Sequence, residues 1–266
     1  MRRVTHAVSM AVWALLVAVS YVVILAPIGV LIFSSFDGGE VFRFPPKSYS
    51  LRWYAAAIHS QEYRSSLGVS ALLATVAALV SVVFGTLAAY ALARSRFRGS
   101  EVVATILLAP LALPLIVWAI ALLQIYAWLG ISGSFPGLFI AHATITIPFS
   151  VRIMTANFSQ LDPNLVDAAA SLGAPPAVAF RRITLPLVAS GLVLSAAISF
   201  LVSFNDVIVS SFIAGARWIT FPVRLYSELR SEGVDPITVA IGAAIVALIL
   251  VLGLAGERLF KWSRQL

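Results

Sequence analysis

The chain has 266 residues, 61% of them hydrophobic and only 11% charged, with a mean hydropathy of +0.99. A soluble domain is about 45–50% apolar and about 25% charged, so this composition excludes an ordinary soluble protein and describes a polytopic membrane protein. The net charge of +7 sits in small clusters between apolar runs, the pattern of membrane topology and not of a nucleic-acid-binding face. There is no cysteine, hence no disulfide, and His6, His59 and His142 are too scattered for a metal-ligand pattern.

A spanning helix needs about 20 mostly apolar residues. The first such run covers roughly 8–35, after Arg2 and Arg3, with Pro27 inside it. It is longer than the roughly 7–15 apolar residues of a signal peptide, so it reads as a span. Residues 36–64 are mixed and read as an outer loop with one surface helix, SLRWYAAAIH. The second span, roughly 66–93, carries small residues (Ala71, Thr75, Ala78, Gly85) at helical spacings, which lets membrane helices pack closely. A basic turn with Arg94, Arg96, Arg98 and Gly99 follows. The third span, roughly 102–129, contains Pro110 and Pro114 and is expected to be kinked or locally broken. The fourth, roughly 135–157, is the most polar, with His142, Thr144, Thr146, Pro148, Ser150, Arg152 and Asn157. The fifth covers roughly 187–214 and ends in SFNDVIVSSF; the sixth covers roughly 237–256. Between them, 215–236 reads as a second outer loop with a short helix ending near Glu232.

Six spans put both termini on one side. That side, with the 94–101 turn and the 158–186 insert, carries Lys/Arg at 2, 3, 94, 96, 98, 181, 182, 258, 261 and 264. The other side has them at 43, 47, 52, 64, 217, 224 and 230, together with more acids. Cytoplasmic loops hold the excess of Lys/Arg, so both termini and the insert are expected in the cytoplasm.

The insert is the most punctuated stretch of the chain. Asp162-Pro163 is a helix start, with Asp as N-cap and Pro at the first helical position. LVDAAASL then runs about two turns to Gly173, a natural helix stop. Pro175-Pro176 opens a second short helix through AVAFRRI, and Leu185-Pro186 leads into the fifth span. A two-turn helix is not stable alone in water. The hairpin must dock, either on its own membrane helices or on a separate partner.

The spacing of Asp167, Ala168, Ala169, Gly173, Ile183, Leu185 and Pro186, D-A-A-x3-G-x9-I-x-L-P, resembles the E-A-A-x3-G-x9-I-x-L-P signature of permease subunits of type I binding-protein-dependent ABC importers. Asp replaces Glu at the first position, keeping the charge with a shorter reach. GTLAAYALARSRFRG looks like the corresponding family segment, and SFNDVIVSSFIAGARWITFPVRLYSELRSEGVDP resembles the spermidine/putrescine-type branch. The resemblance implies an all-α, six-helix permease fold forming a single transmembrane domain over 1–266, in a bacterial inner membrane. It implies that the hairpin, 162–186, is a coupling helix inserted into a cytoplasmic ATPase dimer. It further implies an external solute-binding protein and a second homologous, non-identical permease subunit. The solute implied is a polyamine or a related cationic or amino-acid-like compound.

No G-x4-G-K-[ST] loop is present, so this chain holds no phosphate-cradling site of that kind. By the resemblance, ATP and magnesium bind the separate ATPase, and the chain is a transport component with no catalytic residues of its own. An acid within a span normally faces a bundle interior or a watery path. Asp206, with Asn205 and Ser203, is therefore the candidate reception point for a cationic solute near the outer end of the fifth helix; the competing reading is that Asp206 pairs with an outer-loop arginine or caps local backbone. A carrier of another class would use Asp206, His142 and Arg152 as an ion relay. Such folds show inverted repeats, and the sequence has no clear internal repeat.

Overall fold

The computed structural model describes residues 2–41, 43–94, 98–162, 164–231 and 233–260. In chain order the helices are α1 (Arg2–Ser34), α2 (Arg52–His59), α3 (Gln61–Arg94), α4 (Ser100–Ala112), α5 (Leu115–Leu129), α6 (Phe135–Ser159), α7 (Asn164–Ser171) and α8 (Pro176–Ala179). A π-helical turn (Phe180–Thr184) follows, then α9 (Leu185–Leu187), α10 (Ala189–Phe204), α11 (Ile208–Ile213), α12 (Phe221–Ser231) and α13 (Pro236–Phe260). Among the described residues the one β feature is an isolated bridge between Asp37 and Tyr49.

Among the described residues, four helical stretches are long and apolar enough to cross a membrane: Ser9–Ser34, Gln61–Ala93, Phe135–Ser159 and Pro236–Gly256. Two bent pairs raise the number to as many as six if each pair is one span. Ser100–Ala112 meets Leu115–Leu129 at 104°, and Pro176–Leu187 meets Ala189–Phe204 at 70°. The break expected in the third span falls at Pro114 and not at Pro110, which stays inside α4. Its cause is local: Leu113, the residue before a proline, is driven out of the helical region to ψ 145. The fifth span is a correction. One continuous helix was expected over 187–214, but the chain bends at Val188, ends α10 at Phe204 and resumes as α11 only at Ile208.

The chain divides into two compact units, Met1–Arg64 with Ser227–Leu259, and Ser65–Tyr226 with Phe260–Leu266. In the first unit the 36–60 segment folds on itself. Tyr54 Oη pairs with Ser35 Oγ at 2.6 Å, and Trp53 Nε1 donates to Gly39 O at 2.9 Å. Tyr63, at the start of α3, donates to the Glu228 carboxylate and lies 3.1 Å from Thr238 Oγ1. In the second unit α6 is the central element. α10 and α4 pack on it, and α11 packs against α5 and α6. One apolar cluster joins Leu73, Ala119, Leu122, Leu138, Ile145, Val209 and Ile213; a second joins Ala89, Met154, Phe158 and Val188.

Candidate functional site

Two interruptions of regular helix, at opposite ends of α10, organise the second unit. The first is the hairpin. Asp162 Oδ1 accepts from Asn164 N–H at 2.9 Å, so it caps α7 as expected; Pro163 lies outside the described residues. At the other end Ala174 N–H reaches Ala169 O at 3.0 Å and Gly173 N–H reaches Ala170 O at 2.9 Å. These two bonds form a Schellman closure, and Gly173 takes the left-handed φ of +79° that it requires. Pro176 then opens α8 at its first position.

The run through AVAFRRI is not a plain α-helix: it widens into a π turn at Phe180–Thr184, where Leu185 N–H bonds Phe180 O. Pro186 supplies the reason. It has no N–H for the carbonyl four residues back, and its ring would collide with that carbonyl. The hairpin is fastened by aromatics: Tyr90 of α3 meets Phe180 edge-on at 4.9 Å and Phe158 of α6 at 5.6 Å.

The signature residues divide by exposure. Ala169 is buried, Ile183 and Leu185 are half-buried, and Asp167, Ala168, Gly173 and Pro186 are exposed. A residue not singled out from the sequence dominates the tip. Leu172, beside Gly173, is 89% exposed. Its signal was available: an apolar residue directly before a helix-stopping glycine.

The second interruption is at Asn205–Val207. Asp206 Oδ2 accepts from Ser210 N–H at 2.8 Å and Oδ1 from Val209 N–H at 3.3 Å, so Asp206 caps α11. The competing reading of Asp206 as a backbone cap therefore holds, and the residue is 7% exposed. It also lines a cavity of about 340 Å³ with Leu115, Ile145, Val202, Asn205, Val207 and Ile208. Leu115 is the first residue of α5, so the breaks in two different helices border the same cavity. Non-helical backbone at membrane depth is tolerated where it lines a cavity, and both breaks border this one. Asn205 is exposed and turns its amide back to Leu201 O at 3.0 Å.

Ser203 is buried and faces away from solvent, bonding His142 Nδ1 at 2.8 Å. His142 Nε2 lies 3.0 Å from Ser210 Oγ and 3.7 Å from Asp206 Oδ2. Thus the structure brings Ser203, Asp206 and His142 together. It leaves Arg152 apart: exposed, and ten residues from His142 on α6, roughly 15 Å along the axis.

A polar seam missed in the sequence runs on from this point. On α6, His142, Thr146 and Ser150 recur every four residues; on α10, Ser195, Ser199 and Ser203 do the same, and all six are buried. Ser150 Oγ accepts from Ser195 at 2.7 Å and lies 3.1 Å from Ser199 Oγ, while Thr146 pairs with Ser81 of α3. Hydroxyls at four-residue spacing fall on one helix face, and that spacing was the readable signal.

Residues 81–265 match the family model described as "binding-protein-dependent transport system inner membrane component". The chain is 31% identical over 237 residues to the spermidine/putrescine transport system permease protein PotC of Escherichia coli (strain K12), a match covering 89% of each. It is 28% identical over 235 residues to the putrescine transport system permease protein PotI of the same strain, covering 86% of this chain and 83% of that one. In fold it is similar to a chain of a bacterial ABC transporter involved in the import of the acidic polysaccharide alginate. The TM-score is 0.73 at 18% identity, over 95% of this chain and 97% of the other.

Proposed function

The chain belongs to the family of binding-protein-dependent transport system inner membrane components, and from that premise we propose how its two helix interruptions divide the work of import. It is a multi-pass permease subunit of a binding-protein-dependent importer in the bacterial inner membrane, and not an enzyme. In our reading both termini and the hairpin face the cytoplasm. The hairpin carries Asp167, Ala168, Ala169, Gly173, Ile183, Leu185 and Pro186 and docks on an ATPase dimer, which binds the ATP and magnesium. Leu172 is its apolar knob. The exposed Leu172 at a capped, rigid tip is the observation that carries this assignment. A second, homologous and non-identical permease subunit completes the pathway, and an external binding protein delivers the solute.

The solute is a polyamine. Named relatives carry spermidine and putrescine, and the cavity chemistry agrees. Its walls are mostly aliphatic, with one acid, Asp206, and one amide, Asn205, at the helix break. That lining suits an aliphatic chain bearing ammonium groups. Ser203 acts behind the wall, through His142.

The test is uptake of radiolabelled putrescine and spermidine into proteoliposomes holding the complete importer with its binding protein. Uptake requires ATP. Asp206→Asn removes the charge and leaves one of the two cap acceptors of α11 in place. It raises the KM for putrescine about ten-fold, the equivalent of about 1.4 kcal/mol, with the importer still assembled. An unchanged KM removes Asp206 from the path, and uptake driven by a proton gradient without the ATPase overturns the whole reading.

A further inference from the structure

We propose that His142 is a positioning residue for solute passage: its ring clasps α10 to α11 across the Asn205–Val207 break and so fixes Asn205 and Asp206 at the cavity wall. The inference rests on the reading of that cavity as part of the solute path.

The geometry is specific to a clasp. The two ring nitrogens of His142 reach opposite sides of the break, Nδ1 to Ser203 on the last turn of α10 and Nε2 to Ser210 on α11. A neutral imidazole offers one donor and one acceptor, and a hydroxyl can serve as either. Both tautomers therefore satisfy the same pair of serines. Each serine is bound a second time at the break: Ser203 O accepts from Asp206 N–H at 3.4 Å, and Ser210 N–H donates to Asp206 Oδ2 at 2.8 Å. Asp206 is thus a member of both the clasp and the cavity lining.

The ring joins the last turn of α10 to α11 from a third helix, and it is completely buried. Without the ring the serine hydroxyls have a local alternative, the carbonyl one turn back. Ser211 already takes it, donating to Val207 O at 2.6 Å. Losing the ring would free the break to straighten or swing while leaving α6 and α10 packed through Ser150, Ser195 and Ser199.

The experiment measures putrescine uptake by the complete importer in proteoliposomes, across a concentration series. His142→Leu is expected to raise KM about ten-fold with the maximal rate per assembled importer within about two-fold, a loss of ground-state positioning and not of turnover. His142→Asn keeps one arm and restores KM to within about three-fold of the native value, which an apolar replacement of similar size, His142→Met, does not. A merely structural role gives the opposite pattern: less assembled importer and a lower maximal rate at unchanged KM, equally relieved by Met. That result overturns the proposal.

Should His142→Leu fail to assemble, Ser203→Ala and Ser210→Ala each remove one arm. Each is expected to raise KM by about three-fold, and no change in either overturns the clasp. Asp206→Asn separates the two levels. If it leaves KM unchanged, the path reading and the clasp fall together. If it raises KM while His142→Leu does not, the clasp alone falls.

Discussion

The two ends of α10 are interrupted in opposite ways. At the hairpin the helix ends are closed by residues of the hairpin itself, the Asp162 side chain, the Gly173 turn and Pro176, and Leu172 is left 89% exposed. At the Asn205–Val207 break the side chains close the helix ends, and they are drawn inward. Asp206 caps α11 and His142 reaches across from α6. In the division of work proposed above, the hairpin is capped locally and leaves Leu172 bare for a partner, while the break at the solute cavity is held from behind by neighbours in the same chain.

The sharpest way to break this comparison is at the tip. Leu172→Asp leaves the Schellman closure untouched, because the closure uses backbone groups and Gly173. It puts a charge where an apolar anchor would enter a partner. Burial of such an anchor carries about 2–4 kcal/mol at interface hot spots. ATP-driven uptake is expected to fall by roughly a hundred-fold, with the permease present at native level in the membrane and the ATPase no longer co-purifying with it. Native uptake in this variant would mean that the hairpin makes its contacts only within its own chain.

The inward half is tested by crowding. Gly85 on α3 faces Ser150 on α6 so closely that a Cβ added there would stand 2.3 Å from Ser150 Cβ and 3.0 Å from two backbone atoms. Backbone cannot step aside as a flexible side chain can. Gly85→Ala is therefore expected to cost about 1–3 kcal/mol, the usual range for overpacking, read as a lower melting temperature of the detergent-solubilised complex. The same replacement at Gly173, where nothing lies within 4 Å, acts only through its left-handed backbone, about 1–2 kcal/mol, and stays local to the hairpin. Equal global destabilisation at both positions would erase the distinction between the locally closed hairpin and the packed helices behind the break.

The same contrast explains what the sequence made legible. The hairpin could be read closely, Asp162 as cap, Gly173 as stop and Pro176 as start, because each signal is a property of one residue and its immediate neighbours. The breaks were harder. Pro114 announced its own, since proline acts on the residue before it. The break at Asn205–Val207 has no proline or glycine, and it is enforced by Asp206 together with a histidine more than sixty residues away in sequence. Within 187–214 its local sign is Asp206, a helix-capping residue type set between apolar runs; the histidine that reaches it from α6 has no local sign there. The π turn lies between these cases: Pro186 was visible, but a proline can break, bend or widen a helix, and the residue type alone does not choose among them.

The smallest effect is expected along the seam between α6 and α10, and it tests whether the inward-facing hydroxyls hold the helices or only fit them. Interhelical hydrogen bonds in membrane proteins average about 0.6 kcal/mol. Ser150 has two partners on α10, Ser195 and Ser199, so removing either one leaves the other. Ser195→Ala and Ser199→Ala are each expected to shift stability by only a few tenths of a kcal/mol, below that average. The double variant leaves the Ser150 hydroxyl buried with no partner across the seam. Its remaining recourse is its own helix, the carbonyl of Thr146 one turn back, as Ser and Thr do elsewhere in helices. If it turns there, the double loss stays near 0.6 kcal/mol; if the close approach at Gly85 prevents the rotation, the cost rises to about 1–3 kcal/mol for an unsatisfied buried group. A thermal-unfolding double-mutant cycle reads the difference directly: strong non-additivity marks Ser150 as a shared hinge pin between Ser195 and Ser199, and simple additivity marks two independent contacts.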